Sequence, residues 1–278
     1  MSITHHSQWQ PFIQEFNRVA THRHRYEVFK DFVLMSAITM HNSIVRDQRL
    51  EAEYLQIVGR YSKQEVETLC QLFARLILLL DPEPCDVLGT LYMSLDLGNT
   101  HVGQFFTPPE VSELMARINH GEELREIPEF VTLSEPACGA GGMVLAFVKV
   151  MLDYGHNPAS KLWVHCQDID RIAAMMCYLQ LALWNIPAMV VVGNTLAMES
   201  REVLYTPQHH LGLWRHRLKR RNQREADKET VTPDNKNQQT QTTTNHRAES
   251  AREDANPVQV SNQPRPPDTG RMQFDFGF

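Results

Sequence analysis

An α/β fold with a parallel sheet, preceded by a helical region, is predicted for this 278-residue chain on three observations. Between Gly103 and Asn194, short β-prone runs alternate with helix-length apolar segments. Before them, apolar side chains recur only at helical spacing. After about Arg215 apolar side chains nearly vanish. Strands separated by helices of roughly 10–15 residues imply parallel pairing, because parallel neighbours need a crossover connection.

The helical region comes first. Phe12, Phe16 and Val19, then Tyr26, Phe29, Val33 and Ile38, fall on single helix faces. Ser62 and Glu65 form a capping-box pattern before a helix carrying Val66, Leu69, Leu72, Phe73, Leu76 and Leu80. Asp81-Pro82-Glu83-Pro84 stops that helix, and another is expected over Cys85 to Leu95. No chemistry suggests itself in this region.

The alternating segment follows. Pro108-Pro109-Glu110 opens a helix through Val111, Leu114, Met115 and Ile118, since proline suits a first turn. Phe130 to Leu133 is the first strand, followed by a Gly-rich turn and a helix from Met143 to about Leu152. Leu162 to Cys166 is the second strand, Asp170 to Leu183 a helix and Met189 to Val192 the third strand. The expected domains are residues 1–98 (helical), 99–221 (α/β) and 222–278, a polar tail too poor in apolar surface to offset chain entropy and therefore read as disordered.

Composition narrows the function classes. A formal charge of −6 argues against unaided clamping of a DNA duplex, which depends on neutralising phosphates. The five cysteines (Cys70, Cys85, Cys138, Cys166 and Cys177) make no C-x-x-C pair and read as reduced, mostly buried thiols. No signal peptide is visible, and the apolar run Leu76 to Leu80 is far too short to span a bilayer, so a cytoplasmic protein without membrane contact is expected. His5, His6, His22, His24, His209, His210 and His216 show no metal-ligand spacing and are expected on the surface, so no metal site is anticipated.

The strongest local signal is Ser134-Glu135-Pro136-Ala137-Cys138-Gly139-Ala140-Gly141-Gly142, between a strand and a helix. Glycines there allow close backbone approach, and the helix that follows offers free N–H groups to a polar or anionic ligand. The pattern is neither a P-loop nor a clean G-x-G-x-x-G. Its wording resembles the Asp-Pro-Ala-Cys-Gly-x-Gly-Gly motif of adenine-N6 DNA methyltransferases, especially the modification subunits of type I restriction systems.

Two further segments carry the resemblance in the same order. Gly103-Gln104-Phe105-Phe106-Thr107-Pro108-Pro109 resembles the family's Gly-Gln-Phe-Tyr/Phe-Thr-Pro, and Cys166-Gln167-Asp168-Ile169-Asp170 its Gly-Gln-Glu-Ile-Asp. The likeness runs from about Val87 to Leu196. It implies a Rossmann-like sheet, truncated here, that binds S-adenosyl-L-methionine. By the same resemblance, Gln104, Phe105, Phe106, Thr107, Pro108 and Pro109 bind the cofactor, with Phe106, Thr107 and Pro108 over its methionine half. Ala137, Cys138, Gly139 and Gly141 turn beneath its sulfonium, and Asp168 accepts from the ribose hydroxyls. Gly193-Asn194-Thr195-Leu196 resembles the family's Gly-Asp-Thr-Leu; Asn194 replaces the acid that meets the adenine amino group, and its side-chain carbonyl can still accept. Read alone, Phe105 and Phe106 are more often core aromatics, and it is the Gln-Phe-Phe-Thr-Pro string that favours the cofactor; Asp170 suits a helix cap, and Cys138 packs beneath the turn.

The base-holding motif is missing. The family's Asn/Asp-Pro-Pro-Tyr/Phe should follow Leu196 within tens of residues, yet the chain continues Ala197-Met198-Glu199-Ser200 to Thr206-Pro207-Gln208-His209. No catalytic residue is therefore assigned. Tyr205 and Trp214 are available aromatics, but no spacing argues for either. The expected function is that of a DNA methyltransferase-like protein of adenine-N6 type, tied to modification and restriction. The alternative is an inactive, cofactor-binding accessory protein; a methyltransferase for RNA or protein fits the cofactor segments but not the wording of Glu135 to Gly142. DNA is the expected partner, reached with or through a specificity subunit. Phe274 to Phe278 is a candidate protein-docking peptide.

Overall fold

The computed structural model describes residues 4, 6–81, 83–95 and 106–230, with side chains to 227. Residues 1–216 form one compact unit and a second begins at Arg217. Five helices come first: α1 (Trp9–Arg18), α2 (Arg25–Asn42), α3 (Gln48–Val58), α4 (Lys63–Leu80) and α5 (Val87–Ser94). Helices α2 to α5 each start at a residue whose side chain accepts from a first-turn N–H, whereas α1 has no side-chain cap. Ser62 and Glu65 close the expected capping box before α4, Asp47 caps α3 and Asp86 caps α5.

The α/β segment contains α6 (Pro109–His120), β1 (Val131–Glu135), α7 (Gly142–Asp153), α8 (Pro158–Lys161), β2 (Leu162–Asp168), α9 (Arg171–Leu183) and β3 (Ala188–Val192). After these come β4 (Glu202–Tyr205) and α10 (Pro207–Leu211). The sheet order is β1-β2-β3-β4. β1, β2 and β3 pair in parallel, in register from Val131 opposite Leu162 and Val164 opposite Ala188. The parallel sheet is thus as expected from the alternation of strands and helices.

β4 was not anticipated. It returns antiparallel on β3, with Val192 opposite Glu202, so the sheet closes by a hairpin where a further crossover would extend it. Its four residues offer too short a pattern to stand out beside the polar loop that precedes it. Arg171 locks this corner: its guanidinium donates to Glu202 Oε2 at 2.6 Å and to both oxygens of Glu53 on α3 at 2.8 Å. Two carboxylates on one forked cation tie the helical region to the sheet.

Helix α9 is buried on every side from Ile172 to Ala182, and packs against α2 as well as β2 and β3. Such all-round burial marks a helix inside the core, not at its surface. By contrast α6 buries only Ser112 and Ala116, while Val111, Leu114, Met115 and Ile118 stay exposed. The helix was expected there, but its larger apolar side chains point outward. Small residues allow the close approach to α7, which Arg117 reinforces through Asp153 and Lys149 through Glu113.

Helix α11 spans Trp214–Thr230 and so continues past the boundary at 221 where disorder was expected. From Lys219 on, Arg, Lys, Gln, Glu and Ala favour helix by propensity, and Arg221 pairs with Glu225 one turn on. The remaining tail, 231–278, with its candidate docking peptide, lies outside the described residues. Among the described residues no helix is long and apolar enough to cross a membrane.

His209 corrects another expectation. It is buried, not surface-solvated, and its Nδ1 accepts from Trp163 Nε1 at 3.1 Å. Burial, with His210 and Arg215 nearby, pushes it down to about 4. Burial also lowers His41 and His165. In the unfolded chain His209 protonates first, near its ordinary value of 6.5, so stability falls as the pH drops from there and levels off below about 4. The difference corresponds to about 3 kcal/mol. Urea unfolding at pH 7 and pH 4 should therefore show a larger acid loss in the wild type than in His209→Gln. Equal losses in the two proteins would remove His209 as the cause.

Candidate functional site

The carboxyl ends of the parallel strands bring the predicted motifs together. β1 leads into the turn 136–141, where Gly139 and Gly141 take φ values of +53° and +93°. Both lie in the left-handed region that glycine enters without strain. Gly141 is also the N-cap of α7 and supplies no capping side chain, so the first amides of that helix are left for another acceptor.

Asp168 ends β2 and reaches across to the turn. Its Oδ2 accepts from the Gly139 N–H at 2.8 Å, and its Oδ1 from the Asp170 N–H at 2.9 Å. Each oxygen therefore keeps a free lone pair on a half-buried carboxylate whose orientation is fixed from two sides. Cys138 donates its N–H to Gln167 O at 2.9 Å, and Gly193 donates to Asp168 O at 2.8 Å. Asp170 itself turns away to cap α9, accepting from the Ile172 N–H at 2.8 Å.

Phe106 lies on this turn. A Cβ on Gly139 would stand 3.0 Å from its ring, so the glycine is needed for that contact. The ring also meets Tyr92 edge-on at 5.5 Å, and Tyr92 meets Phe29. Phe106 is thus both partly packed on the core and part of the site. Thr107, Pro108 and Pro109 are exposed, with Pro109 opening α6. Ala137 is exposed and Cys138 buried beneath the turn. Gln104 and Phe105 lie outside the described residues.

Asn194 sits beside Asp168 through the Gly193 contact, but its Oδ1 already accepts from the Leu196 and Ala197 N–H groups at 3.0 and 3.2 Å. Its amide nitrogen has the freer role. Thr195 donates to Pro136 O at 2.6 Å, joining this loop to the Gly-rich turn. Beyond it, the aromatic candidates are spent on structure. Tyr205 packs against the His209 ring at 4.4 Å, and Trp214 is fully buried against Phe130.

Sequence reasoning missed the support beneath the turn. Gln180, fully buried on α9, donates to Ala140 O at 2.7 Å and to Asp86 Oδ1 at 2.9 Å, while its Oε1 accepts from the Leu88 N–H at 3.1 Å. Asp86 also accepts from Gly89, and burial raises its carboxyl against those two hydrogen bonds. The available signal was a lone amide in an otherwise apolar run, Ile172 to Leu183. Replacing Gln180 with Ala strands three buried partners, and a loss of about 3 kcal/mol is expected in urea unfolding. A loss under about 1 kcal/mol would show that the turn does not depend on this amide.

Motif order, a glycine turn held to a strand-end carboxylate and the parallel sheet all suit one group of proteins. The family model described as N-6 DNA methylase matches residues 86–252, more than half of the chain. Over 84 residues the chain is 32% identical to the type I restriction enzyme MpnII methylase subunit of Mycoplasma pneumoniae (strain ATCC 29342 / M129 / Subtype 1). That likeness covers 30% of this chain and spans only 14% of the length of the relative. The glycine turn, its carboxylate partner and the family match agree, and this chain belongs to the N-6 DNA methylase family.

Proposed function

We propose that this chain binds S-adenosyl-L-methionine on the Gly139–Asp168 face and serves a DNA-modification system of adenine-N6 type. The observation that carries the reading is the Asp168 carboxylate, steered by the Gly139 and Asp170 N–H groups with a lone pair left on each oxygen. A vicinal diol is the ligand that two such acceptors suit, and the cofactor's ribose provides one. The left-handed glycines and the uncapped start of α7 suit the polar amino acid end. Ile169, Leu196 and Met198 are exposed at the same end of the sheet and offer an apolar surface to the adenine. When bound, the cofactor supplies an electrophilic methyl group on its sulfonium.

What the chain does for the methyl acceptor is more limited. Transfer to an exocyclic amine needs a flipped base, a stacking aromatic and acceptors that aim the amine. Tyr205 and Trp214 are occupied elsewhere, and the route after Leu196 turns into the β3–β4 hairpin. This favours the reading in which the chain is a cofactor-binding accessory in the cytoplasm, with DNA and the base-holding residues brought by a specificity or modification partner. Residues 99–221 then form the cofactor unit and 1–98 its helical support.

Calorimetry with S-adenosylmethionine is expected to show one binding event. Asp168→Ala, which removes charged acceptors, should weaken it about 10- to 100-fold. No binding by the wild type, or undiminished binding by the variant, overturns the cofactor reading. With tritiated cofactor and DNA, the isolated chain should leave adenine unlabelled; robust labelling overturns the accessory reading and leaves the cofactor reading intact.

A further inference from the structure

Three cysteines meet beneath the Gly-rich turn: Cys138 from the turn itself, Cys166 from β2 and Cys177 from α9. Their sulfurs all lie within 4.8 Å of one another, and all three residues are buried. None is in a disulfide. Residues far apart in the chain reach this point because the turn, the strand and the helix are each pinned separately. The Cys138 N–H is held by Gln167 O, the next residue on β2 after Cys166. Gly141 gives Cys177 its room, since a Cβ there would stand 3.0 Å from the sulfur.

Thiols can pack as small apolar groups, but a closed triangle of soft donors from three elements is also a coordination set. We propose that Cys138, Cys166 and Cys177 bind a single soft monovalent metal ion, of which copper(I) is the fitting case. Number and hardness of ligands decide between metals. Structural zinc takes four ligands and iron–sulfur clusters four cysteines per site, whereas this group comprises three donors among the described residues. Copper(I) is thiol-selective and stable with three sulfurs.

Charge argues the same way. Asp168, Glu135 and Asp86 are the charged groups that bear on these sulfurs, and all are acids. Each sulfur ligates as a thiolate, so entry of the ion displaces thiol protons to solvent. No electron is transferred. A structural divalent ion such as zinc would lack a fourth ligand among the described residues.

The test uses the reduced full chain under anaerobic conditions, titrated with copper(I) from the competing chelator bathocuproine disulfonate. One equivalent should move to the protein, and the melting temperature should rise with loading. Cys166→Ser should lose that uptake, while Cys70→Ser/Cys85→Ser should keep it. X-ray absorption of the loaded wild type should show copper with three sulfur neighbours, which decides the matter even if Cys166→Ser fails to fold. No transfer from the chelator, uptake unchanged in Cys166→Ser, or a first shell containing fewer than three sulfurs would each overturn the proposal. None of these readouts depends on S-adenosylmethionine, so the site stands or falls apart from the cofactor reading.

Discussion

The Gln180 side chain is the contact on which the arrangement of the site rests. One amide, with no access to water, joins the start of α5, the Asp86 carboxyl and the carbonyl of Ala140 in the Gly-rich turn. Buried polar groups demand partners, so these three elements are held together by the cost of separating them. The turn is thereby fixed from below, and Asp168 fixes it from the side through Gly139. A ligand meeting this surface finds dihedrals and acceptors already set, which lowers the ordering cost of binding.

This support explains why a helical region precedes the α/β segment. α2 covers one side of α9, and Arg171 ties the first turn of α9 to Glu53 on α3. Tyr92 on α5 backs the ring of Phe106. The helices therefore act as a wall behind the site, and their chemistry-free sequence agrees with that role.

Much of this was legible in the chain itself. The β1, β2 and β3 runs and the capping box at Ser62 stand out because local pattern and local chemistry coincide there, whereas Gly139 and Asp168 drew notice through their resemblance to family motifs and their mutual hydrogen bond came only with the structure. What escaped reading depends on tertiary contacts. The β4 hairpin is only four residues long, and Gln180 looks like any polar residue until Ala140 and Asp86 are placed around it. His209 looked solvated because the Trp163 donor that it accepts from lies 46 residues away. The α6 stripe follows helical periodicity, yet small Ser112 and Ala116 make the buried face, a choice set by how closely α6 must approach α7.

On the proposed reading, the cofactor half and the base half of a methylase site are unequally represented among the described residues. Gly139, Gly141 and Asp168, which we propose to hold the cofactor, converge on one turn, whereas Tyr205 and Trp214 are committed to packing. A co-crystal structure with S-adenosylhomocysteine tests this division most directly. The expected result is a ligand whose ribose hydroxyls donate to Asp168 and whose amino acid end lies over Gly139 to Gly141. A ligand bound elsewhere, with Asp168 facing no part of it, would contradict the account.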